Sequence, residues 1–154
     1  MSLYLLALLI GVVAGLRAMT APAAVSWPAH LGWLPIQNTP LAFLGATVTP
    51  YILTVLAIGE LVTDQLPKTP SRKVPVQFGG RLVTGAVSGA ALGAAAGSMT
   101  GGAVAGLIGA VIGTLGGAGA RVALARAMGR DLPAALIEDV VAIGGAVLIV
   151  ISLA

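Results

Sequence analysis

Residues 79–130, GGRLVTGAVSGAALGAAAGSMTGGAVAGLIGAVIGTLGGAGARVALARAMGR, decide the fold. Gly85, Gly89, Gly93, Gly97 and Gly101 recur at four-residue spacing, and Gly109, Gly113 and Gly117 repeat it, with no charge between Arg81 and Arg121. Four residues is about one helical turn, so each series makes a groove along one helix face into which a partner's backbone fits. In water each such Gly would cost about 1 kcal/mol against Ala. In lipid the backbone must pair within the helix, and close glycine contact gains dispersion energy that acyl tails do not match. A flexible linker would carry Ser and charge in place of Val, Leu and Ile. The stretch therefore predicts two glycine-faced apolar helices packed as a glycine zipper. The first runs from about Leu82 to Ser98, the chain turns at Met99-Thr100-Gly101-Gly102, and the second returns to about Ala127.

The whole chain has the same character. Its 154 residues are 58% hydrophobic and 8% charged, with a mean hydropathy of +1.04. A soluble domain has about a quarter of its residues charged, so this composition predicts an integral membrane protein. At roughly 20 residues per crossing there is room for five or six spans and almost no extramembrane domain, giving 1–154 as a single transmembrane domain. There are no cysteines, which excludes disulfides and thiol chemistry. The net charge of +3 reads as a topology signal and not as a nucleic-acid footprint.

Outward from the glycine stretch, residues 3–15 are apolar, with Ala21-Pro22-Ala23 at a signal-peptidase distance. No Lys or Arg precedes them, so a first transmembrane helix is predicted. Arg17 and Pro22 then interrupt it, making Arg17 to Ala24 a candidate broken or kinked element. Residues 26–49, with Trp27, Trp33 and three prolines, read as loop and interface, and Leu41 to Thr47 as a short re-entrant or surface turn. Pro50 opens the second span, which holds Glu60 and Asp64 one turn apart and ends at Pro67.

Lys68, Arg72, Lys73 and Arg81 follow with no acid among them, a cytoplasmic mark that Arg121, Arg126 and Arg130 repeat two spans later. Gly129 suits a left-handed cap, and Asp131 with Pro133 starts the last span. The expected product is an all-α polytopic bundle of about five spans with a cytoplasmic N-terminus. AGLRA at 14–18 echoes AGARV at 118–122, and IGELV at 58–62 loosely matches IEDV at 137–140. Halves 1–67 and 101–154 would then be inverted repeats around a connector, 68–100, a plan found in secondary transporters.

Six charges ask for an explanation: Arg17, Glu60, Asp64, Arg121, Glu138 and Asp139. An uncompensated charge at mid-bilayer costs upwards of about 2.5 kcal/mol, so pairing is expected, Arg17 with Glu60 or Asp64 and Arg121 with Glu138 or Asp139. Such pairs either fix helix register or form a substrate or ion site. His30 has no companion at metal-ligand spacing, and gathering the four acids around a divalent cation is the weaker alternative, so no metal or cofactor is expected. No Ser-His-Asp or Cys-His set is present, and Gly-Gly-Ala-Gly at 116–119 is followed by no Lys-Ser/Thr, which argues against an enzyme.

Together, LLALLIGVVAGLRAMTAPAAVSW, AIGELVTDQLPKTPSR and ALIEDVVAIGGAVLIV resemble an uncharacterised bacterial family of small polytopic membrane proteins, over nearly the whole chain. The resemblance implies the bacterial inner membrane and supplies no activity. It marks Leu16 to Pro22, Glu60 to Pro70 and Glu138-Asp139 as signature stretches. The function expected is a small transporter or channel-like protein, proton- or cation-coupled, acting as a homo-oligomer on an unidentified small solute or ion. The alternative is a membrane scaffold assembling through its glycine faces.

Overall fold

A computed structural model describes residues 2–65 and 74–154. They form six α-helices and no strand: α1 Leu3–Leu16, α2 Thr20–His30, α3 Thr49–Thr63, α4 Pro75–Ala95, α5 Met99–Met128 and α6 Asp131–Leu153, with a 3-10 turn at Ala42–Gly45 before α3. Local chemistry accounts for the boundaries. Ser2 and Ser98 cap α1 and α5 by accepting from Tyr4 N and Gly101 N. Pro50 and Pro75 occupy first turns, where no donor is lost. Gly129, at φ 72°, ends α5 in the left-handed conformation.

The glycine stretch bends earlier than expected. The turn is Ala96-Gly97-Ser98, with Gly97 at φ 98°, and Met99 to Gly102 already belong to α5. Gly97 is thus a turn residue and not part of a packing face, because its positive φ relieves the reversal that a helical residue could not make.

α5 is the central helix. A Cβ on Gly89 or Gly93 would strike the backbone of Gly102, and one on Gly85 would meet the Gly106 carbonyl, so α4 lies antiparallel to α5 at backbone contact. On another side, Gly109 and Gly113 meet the backbone of Leu8 and Val12, while Gly11 and Gly15 meet that of Gly106 and Gly113. Gly106 is therefore where α1, α4 and α5 converge. Small residues at such crossings let main chains come closer than any side chain would permit.

The contact order gives the directions. Leu8 faces Gly109 and Gly15 faces Thr114, so α1 and α5 run the same way. Inverted halves require them to run oppositely, so the short sequence echoes do not mark an inverted repeat. α6 is antiparallel to α1, with Val13 against Gly145 and Arg17 bonded to Asp139.

The chain between Trp27 and His30, expected as loop, is helical. α2 turns back from the end of α1, and its Ala21, Val25 and Ala29 share one core with Leu6, Ile10 and Val13 of α1, Ala91 and Leu92 of α4, and Ile149 of α6. α1 and α2 are thus a helical hairpin with its tip at Arg17-Ala18-Met19. α3 packs antiparallel to α2, with Trp27 Nε1 donating to Thr54 Oγ1 at 3.0 Å and the Trp27 and Tyr51 rings edge to face.

This arrangement revises the span count. Among the described residues only α5 and α6 are both long and apolar enough to cross a membrane. α1 and α3 are apolar, but at 14 and 15 residues they extend only about 21 and 22 Å against a hydrocarbon thickness of about 30 Å. α4 has the length but carries Gln77, Arg81 and many small residues. Five full spans are not what these lengths give. The basic residues Lys68, Arg72 and Lys73 lie outside the described residues.

Gly106→Leu is expected to lower thermal stability in detergent by at least about 2 kcal/mol, because two backbones would have to separate. Gly119→Leu, also on α5 but with open space around it, should melt within about 0.5 kcal/mol of the parent. Equal melting of the two variants would contradict the packing.

Candidate functional site

The hairpin tip creates an unusual electrostatic demand. Where α1 stops, its last carbonyls have no helical partner, and where α2 starts, its first N–H groups have none. Charged side chains from other helices meet both needs. Arg81 Nη1 donates to Gly15 O and Leu16 O, each at 2.8 Å. Glu60 accepts from Ala18 N at 2.8 Å on Oε1 and from Met19 N at 2.7 Å on Oε2. A guanidinium thus sits at a helix C-terminus and a carboxylate at a helix N-terminus, the signs that the helix dipoles favour. Arg81 Nη2 is 3.9 Å from Glu60 Oε1, so the two caps also face each other.

Arg17 occupies the break itself. Its backbone is extended, at φ −142°, which ends α1 and turns the side chain into the bundle. The guanidinium is completely buried. Nε donates to Asp139 Oδ1 at 2.6 Å, with Nη2 at 2.5 Å from the same oxygen. Nη1 donates to Leu16 O at 2.9 Å and stands 3.1 Å from Asp64 Oδ2 and 3.5 Å from Glu138 Oε2. Asp139 Oδ2 accepts from Gln65 Nε2 at 2.7 Å, tying α6 to the end of α3.

Arg121 extends the network toward the α5–α6 turn. It donates from Nε and Nη2 to the two oxygens of Asp131, at 3.1 and 2.8 Å, and from Nη1 to Glu138 Oε2 at 3.4 Å. All five acidic residues of the chain are therefore in one network with three arginines. Further polar capacity lies close by, since Thr20 Oγ1 and Gln65 Oε1 are buried and receive or give no hydrogen bond. Thr114 Oγ1 reaches Gly15 O at 3.5 Å from α5.

All six charges singled out in the sequence come together, and each arginine has one of its expected acids beside it together with others. Arg17 pairs with Asp64 as expected and also with the α6 acids, because α1 and α6 pack antiparallel and bring residue 17 level with 138 and 139. Glu60 serves the α2 start and Arg81. Arg121 takes Glu138 together with Asp131, not Asp139. Sequence reasoning missed Arg81, which was counted with the basic loop. Its signal was Pro75, an available helix start that places Arg81 nearly two turns inside α4. Gln65 was missed for want of any pattern. Among the described residues no three acidic, His or Cys side chains are placed to hold a metal ion. His30 lies elsewhere, with Nδ1 3.2 Å from Gly45 O.

No protein-family model, curated protein or solved structure matches the chain.

Arg17→Lys is expected to destabilise the fold by about 2–4 kcal/mol, since one ammonium cannot reach Asp64, Asp139 and Leu16 O at once and leaves buried carboxylates undercompensated. Thermal unfolding in detergent checks this, and a variant as stable as the parent would show that the guanidinium fork is not what holds the tip.

Proposed function

We propose that the protein is a small multi-pass transporter or channel-like protein of a bacterial inner membrane, and that the Arg-carboxylate network around the hairpin tip is its ion or solute site. The observation that carries this reading is the broken helix pair α1–α2, whose two open ends point into a buried set of charges from α3, α4, α5 and α6. Discontinuous helices with ends facing a charged site are a recurrent device for binding and releasing ions within a bilayer.

The membrane assignment draws on the apolar outer faces. Val55, Ile58 and Val62 on α3, Leu107 and Ile112 on α5, and Val140, Val147 and Leu148 on α6 are exposed, a distribution suited to acyl chains and costly in water. In this reading α4, α5 and α6 cross the membrane, the shorter α3 reaches part of the way through it, and the α1–α2 hairpin dips in without crossing. Arg126 and Arg130 then mark the cytoplasmic face. The start of α1 lies at the opposite end of the bundle, with Tyr4 beside Gly101. The N-terminus is accordingly assigned to the outer face, in place of the cytoplasmic one expected from a crossing first helix. The family resemblance of the sequence remains part of this proposal.

A scaffold assembling through glycine faces has less support, because Gly85, Gly89, Gly93, Gly109 and Gly113 already press against backbone within the chain.

The full chain in liposomes should give ion or proton flux above that of empty vesicles, and Glu60→Gln, which weakens the hold on α2, should change that rate at least about tenfold. Wild type and Glu60→Gln both at the empty-vesicle rate would remove the transport reading.

A further inference from the structure

The start of α2 is held by a side chain from another helix. Ala18 N and Met19 N lead into this 11-residue helix, and both donate to the Glu60 carboxylate of α3, at 2.8 and 2.7 Å. A helix start is ordinarily capped by its own Ser, Thr, Asp or Asn, and Met19 at the cap position supplies no such bond. The backbone therefore makes an anion seat. Two N–H groups lie at the positive end of a helix, and the Arg81 guanidinium stands 3.9 Å from the same carboxylate. Glu60 fills that seat.

Two orphan hydroxyls adjoin it. Thr20 is the first residue of α2 and only 8% exposed, and its Oγ1 neither gives nor receives a hydrogen bond. Helical side chains lean toward the N-terminus of their own helix, so the buried Thr20 leans over the start that Glu60 holds. A buried hydroxyl with no partner costs about 1–3 kcal/mol, and Glu60 does not relieve it, because each of its oxygens is spent on one backbone N–H. Ser88 is the second. It is fully buried on α4, its Oγ is likewise unpartnered, and it lies seven residues past Arg81, two turns along one face.

We propose that Glu60 stands in for a permeant anion. A small monovalent anion, of halide or carboxylate size, exchanges with its carboxylate at the start of α2, among Ala18 N, Met19 N, Thr20 Oγ1 and Arg81. This rests on the transport reading above and names its permeant species. The charges around the seat allow it. Asp64 lies 3.1 Å from Arg17 and 3.9 Å from Arg81, and its negative charge opposes any added anion. The exchange adds none, since one carboxylate leaves as one anion enters. A metal cation would instead meet Arg81 and the positive helix end.

Both directions of movement have a route. The Glu60 side chain is 14% exposed and stands one turn before α3 ends at Thr63, so a change of rotamer carries it toward that end of the bundle. On the other side, Ser88 offers the next donor, on the stretch of α4 that leads from Arg81 toward the Gly97 turn.

Thermal unfolding in detergent tests binding apart from flux. Glu60→Ala clears the seat and should melt below wild type. Sodium chloride or sodium formate should restore at least about half of the lost stability relative to sodium gluconate at equal ionic strength, because only the small anions fit. Wild type, with Glu60 in place, should melt alike in all three salts. Glu60→Ala melting alike in all three would overturn the anion seat.

Thr20→Val breaks no hydrogen bond and carries the test should Glu60→Ala not fold. In liposomes under a potassium diffusion potential, wild type should carry chloride at least about tenfold faster than gluconate, and Thr20→Val should slow chloride several-fold at an unchanged melting temperature. Chloride carried by Thr20→Val at the wild-type rate, or protons carried by wild type with no chloride, would overturn the anion inference and leave the transport reading standing. Wild type at the empty-vesicle rate for every ion would end the transport reading, and the salt dependence of Glu60→Ala melting would then decide the seat alone.

Discussion

A guanidinium sealed from solvent has to be matched by negative charge from its surroundings, and Arg17 imposes that requirement on the whole bundle. Its partners come from two helices that are distant in sequence, α3 through Asp64 and α6 through Glu138 and Asp139. The end of α1 must therefore stand level with the end of α3 and the third turn of α6. Once it does, the chain after Arg17 is surrounded by helices, and the reversal into α2 can be made only if its open ends are satisfied there. Glu60 and Arg81 supply those contacts. The break in the helix and the charges around it are thus one feature.

The glycine faces make that feature sterically feasible. With α1 and α4 both at backbone contact with α5 around Gly106, the three main chains leave Arg81 close enough to reach the α1 carbonyls directly. Larger residues at Gly85, Gly89 or Gly11 would push the helices apart and lengthen those bonds. The packing and the polar site therefore depend on the same small residues. In the membrane reading, the apolar surface of α3, α5 and α6 faces lipid while every acid turns inward or to the α5–α6 turn.

Much of this was legible in the sequence, and the omissions have physical causes. Four-residue glycine spacing announced helix faces that admit a backbone, although it did not show that the chain would reverse at Gly97. Gly11 and Gly15 carry the same spacing on α1, but two glycines in an apolar run are a weak signal. Arg17 marked the break correctly, whereas Pro22 did not, since it sits in the first turn of α2 and residues 20–24 are helical. What lay beyond was misread, because Trp27, Pro28 and His30 look like an interfacial loop by composition, while in the fold they are helical and held by contacts with α3 and the 3-10 turn. The expected pairs Arg17–Asp64 and Arg121–Glu138 are present, but the ties of Arg17 to the α6 acids could not be assigned from sequence, since they depend on which helices run antiparallel. Arg81 was hidden by its neighbours: as one of four cations in a short basic run it resembled a topology marker.

The most direct measurement is a double-mutant cycle across the tip, with Arg17→Gln, Asp139→Asn and the double variant unfolded thermally in lipid nanodiscs. If Arg17 and Asp139 meet in a buried site, each single change leaves a charge uncompensated, and the double variant should lose at least about 2 kcal/mol less than the sum of the singles. Losses that add to within about 0.5 kcal/mol would mean that the two groups do not act on each other, and the charge-matched hairpin would not be the centre of this fold.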